Sequence, residues 1–222
     1  MIEVLKKYYT FAELSESAKN KAIQAELEQP YGESYFSYDV SSHDFLDEKT
    51  TELEKAGFEG CNIEYEGFYC QGNGASFTAK NIDLQKVINL PEFCKQKGIK
   101  YSVLKAILPY LDCKIERTNW HYSHKFTVTC NIYDSTMPYY KRIDKYLYDK
   151  NIITLLENTV NDIKNDICRD IYRQLENMYE YCYSPEFIEQ FYTDCEGEFY
   201  FTDSGEFIGN ADEVERQAAY NG

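Results

Sequence analysis

The stretch LENTVNDIKNDICRDIYRQLENMYEYC, residues 156–182, decides how the rest of the chain is read. Within it Leu156, Val160, Ile163, Ile167, Ile171, Leu175, Met178 and Cys182 are spaced by four, three, four, four, four, three and four residues. An α-helix returns to one face every 3.6 residues, so this is a single apolar stripe held for about seven turns. The spacing predicts a helix from about 151 to 183 that serves as a packing spine. Ser184-Pro185-Glu186 interrupts it and restarts a short helix through Tyr192, because Pro is tolerated in the first helical turn.

Upstream of the spine, Phe126, Val128, Cys130 and Ile132 alternate with Thr127, Thr129 and Asn131. That is the period of a half-buried strand, within a stretch from Ile115 to Tyr133 that holds one or two strands. Short helices are predicted over 83–96 and 101–111. Before them, Cys61-Asn62-Ile63-Glu64-Tyr65-Glu66 alternates, Gln71-Gly72-Asn73-Gly74 turns, and Ala75-Ser76-Phe77-Thr78 returns. Asn-Gly beside a second Gly is a strong hairpin signal, because the turn needs positive φ. Two helices open the chain. One runs from 15 to 28, after the N-cap signals Thr10 and Ser15, and one from about Tyr38 to Lys55, stopped at Gly57. At the far end, 198–208 reads as a hairpin and 210–222 as a frayed tail. The order of elements implies one α+β domain spanning residues 1–222. Its mostly antiparallel sheet is covered on one face by helices, and the long helix lies in the C-terminal half.

Composition narrows the function by exclusion. The 222 residues are 43% hydrophobic and 27% charged, which rules out intrinsic disorder. No apolar run approaches the ~18 residues of a membrane span, and the first residues are too short and too acidic for a signal peptide. The expectation is a protein of the cytoplasm, the host cell's cytoplasm if the chain is phage-encoded. Asp and Glu number 38 against 23 Lys and Arg, a net charge of -15. Direct tracking of nucleic-acid phosphates is therefore not expected. The excess sits at the ends: residues 1–60 carry -7, residues 61–183 carry +1 and residues 184–222 carry -9.

No local motif specifies a reaction. Of the eight cysteines none forms a Cys-x-x-Cys pair and none lies within four residues of a His, so no zinc site and no other cofactor is expected. Free buried thiols are the expectation, with Cys130 on a strand face. His121 and His124 enter the alternating strand, where an offset of three sends them to opposite faces and away from a shared metal, and a surface or turn role is the leading reading. His43 reads as a surface residue of the second helix. Gln71-Gly72-Asn73-Gly74-Ala75-Ser76 could cradle an anion on backbone N–H groups, but a tight turn accounts for both glycines. With no catalytic residue indicated, the chain is read as a binding protein rather than an enzyme.

The acidic C-terminal segment carries the candidate partner-binding residues. Glu186, Glu189, Asp194, Glu196, Glu198, Asp203 and Glu206 come without any Lys, and Tyr200 lies among them. Phe187, Phe191, Tyr192, Phe199 and Phe201 are interleaved as rigid contact area. Carboxylates mixed with aromatics suit a basic groove or any Arg- and Lys-rich surface.

Two motifs carry a resemblance. Tyr9-Thr10-Phe11-Ala12-Glu13-Leu14-Ser15 with Ala18, Lys19 and Ala22 is the first; Ile63, Tyr65, Gly67-Phe68-Tyr69, Gln71-Gly72 and Gly74-Ala75-Ser76-Phe77 make the second. Together they resemble a family of small uncharacterised bacteriophage and prophage accessory proteins, some labelled antitoxin-like from the N-terminal segment. Where that family commonly has Asp, this chain has Asn73, so no role for that carboxylate transfers. The resemblance implies a phage-encoded accessory protein and brings no catalytic residue. Joined to the acidic segment, it leads to an expected stoichiometric inhibitor of a host nucleic-acid-targeting defence system. Such a protein would be anti-CRISPR-like, partly mimicking nucleic acid and engaging a basic host protein such as a CRISPR effector or restriction enzyme. An antitoxin neutralising a toxin, or a phage enzyme with a site assembled from distant residues, are the alternatives.

Overall fold

Ser15 Oγ accepts the Ala18 N–H and starts the first regular helix, α1 (Glu16–Leu27), after a 3-10 turn over Phe11–Glu13. The computed structural model describes residues 7–28, 38–68, 72–134, 151–214 and 216. In chain order α1 is followed by α2 (Tyr38–Ala56), β1 (Phe58–Glu59), β2 (Asn62–Glu66), β3 (Gly74–Thr78) and β4 (Asn81–Ile82). Next come α3 (Leu84–Val87), α4 (Leu90–Lys97), α5 (Tyr101–Ile107), β5 (Leu111–Arg117) and β6 (Val128–Asp134). The long helix α6 (Ile152–Cys182), α7 (Pro185–Asp194), β7 (Phe199–Phe201) and β8 (Phe207–Asn210) complete the fold, which is α+β. Among the described residues the strands form four two-stranded antiparallel ladders rather than one continuous sheet.

Several boundaries differ from the sequence reading for local reasons. The run expected over 83–96 is two helices, because Ile88 is extended and Asn89 Oδ1 caps a new start beside Pro91. The helix expected to reach 111 ends at Ile107, passes through a 3-10 turn containing Pro109, and Leu111 already opens β5. The strand expected from 126 begins at Val128, so Phe126 does not share the inward face of Val128, Cys130 and Ile132 but is 72% exposed. Residues 211–214 form a helical turn with Val214 buried; the remainder of the tail expected to fray lies outside the described residues apart from Arg216.

The described residues fall into two units. The larger, Ser41–Glu176, has a core of Phe58, Phe77, Leu104, Ile107, Cys113 and Ile115 with the inner side of α6. Its ladders are β1–β4, β2–β3 and β5–β6, and a bridge between Ala79 and Ile115 joins the end of β3 to β5. Cys113 and Cys130 lie with their sulfurs 3.5 Å apart inside the β5–β6 ladder. That thiol–thiol hydrogen bond and burial together raise the Cys113 pKa. All seven described cysteines are free, five of them buried, and Cys70 lies outside the described residues.

The stripe on α6 is present but rotated from the apolar pattern. The fully buried ridge is Ile152, Leu156, Val160, Lys164, Cys168, Ile171 and Leu175, while Ile163 and Ile167 are half-buried beside it. A second row of the helix explains why a lysine lies inside. Glu157 accepts the Ile132 N–H and Asn161 the Cys130 N–H, each at 3.0 Å. Lys164 Nζ donates to the carbonyls of Val128 at 2.6 Å and Lys125 at 2.8 Å. Helix positions 157, 161 and 164 thus pair with strand positions 132, 130 and 128. Seven helical residues rise ~10 Å and four strand residues span ~13 Å, close enough for the rows to match. The outer edge of β6 is thereby covered by side chains, which removes an exposed row of backbone donors.

The smaller unit comprises residues 1–40 and 177–222. In it Phe11, Leu14, Ala18, Ala22 and Ile23 pack with Ile188, Tyr192, Phe199 and Phe201. Tyr9 exchanges two backbone hydrogen bonds with Phe201 and so adds a third segment beside the β7–β8 ladder.

Truncating Asn161 to Ala strands the Cys130 N–H and is expected to cost about 1–3 kcal/mol in urea denaturation. Lys164→Glu, which aims a carboxylate at two carbonyls, should prevent folding of the larger unit. Ile167→Asp at its half-buried position should be milder than Lys164→Glu. Equal stability of Asn161→Ala and wild type would show that the edge cover contributes nothing.

Candidate functional site

The acidic segment is laid out by capping and burial. Ser184 Oγ accepts the Phe187 N–H at 3.2 Å, Pro185 fills the first turn, and α7 turns Ile188 and Tyr192 inward. The helix period then leaves Glu186, Glu189 and Asp194 exposed. In the following hairpin Phe199 and Phe201 point inward, so Glu198 is exposed and Tyr200 is half-buried. Gly205, in the hairpin turn, has φ +84° and approaches α1 so closely that a Cβ would stand 2.1 Å from the Ala18 carbonyl oxygen. Asn210 and Glu213 cap each other across the next turn at 2.9 and 3.0 Å.

The structure separates two roles that the sequence reading combined. All seven carboxylates, Glu186, Glu189, Asp194, Glu196, Glu198, Asp203 and Glu206, are exposed. Of the interleaved aromatics, Tyr192, Phe199 and Phe201 are buried, and Phe187, Phe191 and Tyr200 are half-buried. Tyr192 stacks with Phe11 and meets Phe201 edge-on, each 5.2 Å between ring centres, and its hydroxyl donates to the buried Glu26 at 3.2 Å. Half of the aromatics are thus core, and all seven carboxylates lie on the surface.

Among the described residues only Glu206 of the seven has a cation, Lys21 at 3.0 Å. The negative field reaches neighbouring groups: the Cys195 thiol is raised by burial and then by Glu198 and Asp194. A cleft of about 360 Å³ on this unit is lined by Glu198, Phe199, Asn210, Ala211 and Asp212, with a carboxylate on two of its walls.

In the larger unit the two histidines are not on a strand. His121 and His124 lie in the loop 118–127 between β5 and β6, and the alternation that places them on a strand ends at Val128. His124 stacks on Tyr122 and its Nδ1 accepts the Phe126 N–H at 3.2 Å. His43 is exposed on α2. The glycines of the β2–β3 turn serve the loop that packs over them. A Cβ on Gly72 would lie 2.2 Å from the Tyr122 ring, and one on Gly74 2.5 Å from the His124 Cβ. Turn, loop and α6 together enclose a pocket of about 510 Å³, which sequence reasoning missed because its walls come from three distant segments. Among the described residues no three His, Cys, Asp or Glu side chains converge as a metal ion requires, and no helix is long and apolar enough to cross a membrane.

A family model described as a domain of unknown function, DUF8835, matches residues 42–185, about two thirds of the chain. The chain belongs to the DUF8835 family. The DUF8835 match takes in nearly all of the larger unit, with the pocket, and stops one residue before Glu186, the first carboxylate of the acidic surface. No curated protein and no solved structure matches the chain.

Cys168, on the α6 wall of the pocket, is pushed up to about 11 by burial, against a smaller opposing pull from Lys164. A thiol whose folded pKa is raised holds its proton longer when folded, so it stabilises the fold below its unfolded pKa, and that stability is lost as pH rises through the folded value. Between pH 9 and 11 wild type should lose about 2–3 kcal/mol from this group. Cys168→Ala should start less stable at pH 7 and show a correspondingly flatter alkaline limb. Parallel pH profiles of urea midpoints would remove this assignment.

Proposed function

We propose that this chain is an acidic binding protein, phage-encoded, that occupies a basic protein surface stoichiometrically and so inhibits a host nucleic-acid-targeting defence system. The observation that carries the reading is the set of seven exposed carboxylates from Glu186 to Glu206 of which one is neutralised. Such effectors guide a polyanion through grooves lined with Lys and Arg, and a protein presenting fixed carboxylates competes for the same charge. The cleft beside Glu198 and Asp212 has room for an Arg or Lys side chain entering between two carboxylates. The resemblance of the Tyr9–Ser15 and Ile63–Phe77 motifs to phage accessory proteins supports the origin. No turnover is part of this reading; the protein acts by occupancy, in the host cytoplasm.

Immobilised protein should capture such an effector from host lysate in low salt and release it as salt rises, since exposed pairs are screened over ~8 Å at physiological ionic strength. With the purified partner, reversing Glu196, Glu198 and Glu206 to Lys should slow association about tenfold or more, with a smaller change in dissociation, because steering acts on encounter. The variant should melt near wild type, since the three side chains are exposed. Capture of a toxin instead would support the antitoxin alternative. Binding that ignores both salt and charge reversal would rule out the acidic surface.

A further inference from the structure

The pocket of the larger unit has a chemistry opposite to that of the chain as a whole. Lys125, Arg169 and His124 line it together with Phe126, Tyr172 and the Gly72–Gly74 turn, and no carboxylate does among the described residues. In a protein of net charge -15 this is a local cationic concavity. Screening limits the reach of each charge to about a Debye length, so the nearest charges dominate the field inside the pocket.

The polar groups of the pocket are available. Lys125 Nζ lies 5.0 Å over the Phe126 ring and has no carboxylate within ion-pair distance among the described residues. Arg169 pairs with Asp166 at 3.1 Å, but both side chains are mostly exposed, and such pairs are worth only ~0–1 kcal/mol, so the guanidinium can turn to a better anion. His124 has its Nδ1 occupied as an acceptor, which leaves Nε2 as an N–H donor. Below the loop, Lys164 is 2% exposed and is bonded to two carbonyls. Its pKa is lowered, chiefly by burial and to a small extent by Lys125.

The same loop exposes aromatic surface. Trp120 is 84% exposed, Tyr122 40% and Phe126 72%, three large rings within seven residues. Exposed aromatics concentrated on a loop mark a contact surface. A volume of about 510 Å³ falls within the ~300–1,000 Å³ range of small-ligand sites.

We propose that this pocket binds a nucleoside phosphate, its phosphate against Lys125 and Arg169 and its base stacked on Phe126. The cations account for the phosphate, and the ring of Phe126 accounts for a planar base. A long polyanion is disfavoured, because an extended strand would meet the field of the whole chain while one nucleotide meets only the pocket. This site is separate from the acidic surface, and its ligand does not depend on that reading.

The test is equilibrium dialysis of the full chain against the 5′-mono- and triphosphates of the four ribonucleosides, with adenosine and inorganic phosphate as partial probes. At least one nucleotide should bind with a Kd below about 1 mM, and each partial probe about tenfold or more weaker, as loss of a charged or stacking contact implies. Lys125→Ala, Arg169→Ala and Phe126→Ala should each weaken binding about tenfold without moving Tm, while the Glu196, Glu198 and Glu206 to Lys variant binds as wild type. No binding by any nucleotide, affinity unchanged in all three pocket variants, or tighter binding of a twelve-residue single strand would each overturn the proposal.

Discussion

The outer edge of β6 is the constraint around which the larger unit is arranged. An edge strand carries backbone donors and acceptors that must meet either water or a partner. Here the partner is a helix, whose own backbone groups are already used and which can offer only side chains. Glu157 and Asn161 supply acceptors at the spacing of two strand N–H groups, and Lys164 supplies the donor for a carbonyl. The geometry fixes both the rotation of α6 and its position along the strand, since shifting the helix by one residue would misplace all three. Leu156, Val160, Ile171 and Leu175 then fall on the core side, and Lys164 is drawn inside with them.

That arrangement also shapes the loop above the pocket. By reaching past Val128 to the Lys125 carbonyl, Lys164 ties the end of loop 118–127 to the spine. Thr127 adds a second tie, its backbone N–H and its hydroxyl both donating to the His124 carbonyl. Arg117, from the end of β5, is held by Glu64 at 2.6 Å and Ser76 at 3.2 Å and in turn donates to the Tyr122 carbonyl at 3.1 Å. A ten-residue connection rich in aromatic rings is thus anchored at its base and along its length. Its exposed rings are held in place, which lowers the ordering cost of any ligand that stacks on them.

Much of the fold was legible because its signals are local. The hairpin around Gly72-Asn73-Gly74 follows from turn chemistry, and Glu66 pairs with Gly74 in the resulting ladder. The long helix follows from periodicity alone. Its phase was less legible, because hydrophobicity counts Ile163 and Ile167 as inside and Lys164 as outside. Nothing in local sequence says that a strand edge will present two carbonyls to that ammonium. The alternation from Phe126 continued the pattern of β6 by two residues too many, which put His124 on a strand rather than in the loop. The acidic surface was legible as charge, but its aromatics were misassigned to it. A Phe between carboxylates on a strand points inward for the same reason that the carboxylates point outward.

The two candidate surfaces also differ in what selection on the fold alone can explain. Exposed carboxylates from Glu186 onward keep a protein soluble whether or not they bind anything, and they lie beyond the span shared with the DUF8835 family. The pocket admits no such economy. Lys125 over an exposed ring, with no ion-pair partner among the described residues, and three exposed aromatics in one loop are not accounted for by solubility. Of these, Lys125 and Phe126 line the cavity, and all lie within residues 42–185. Keeping such groups together around a space of ligand size is the pattern of a site held ready for an anion, which offsets the positive charge and covers the rings in one step.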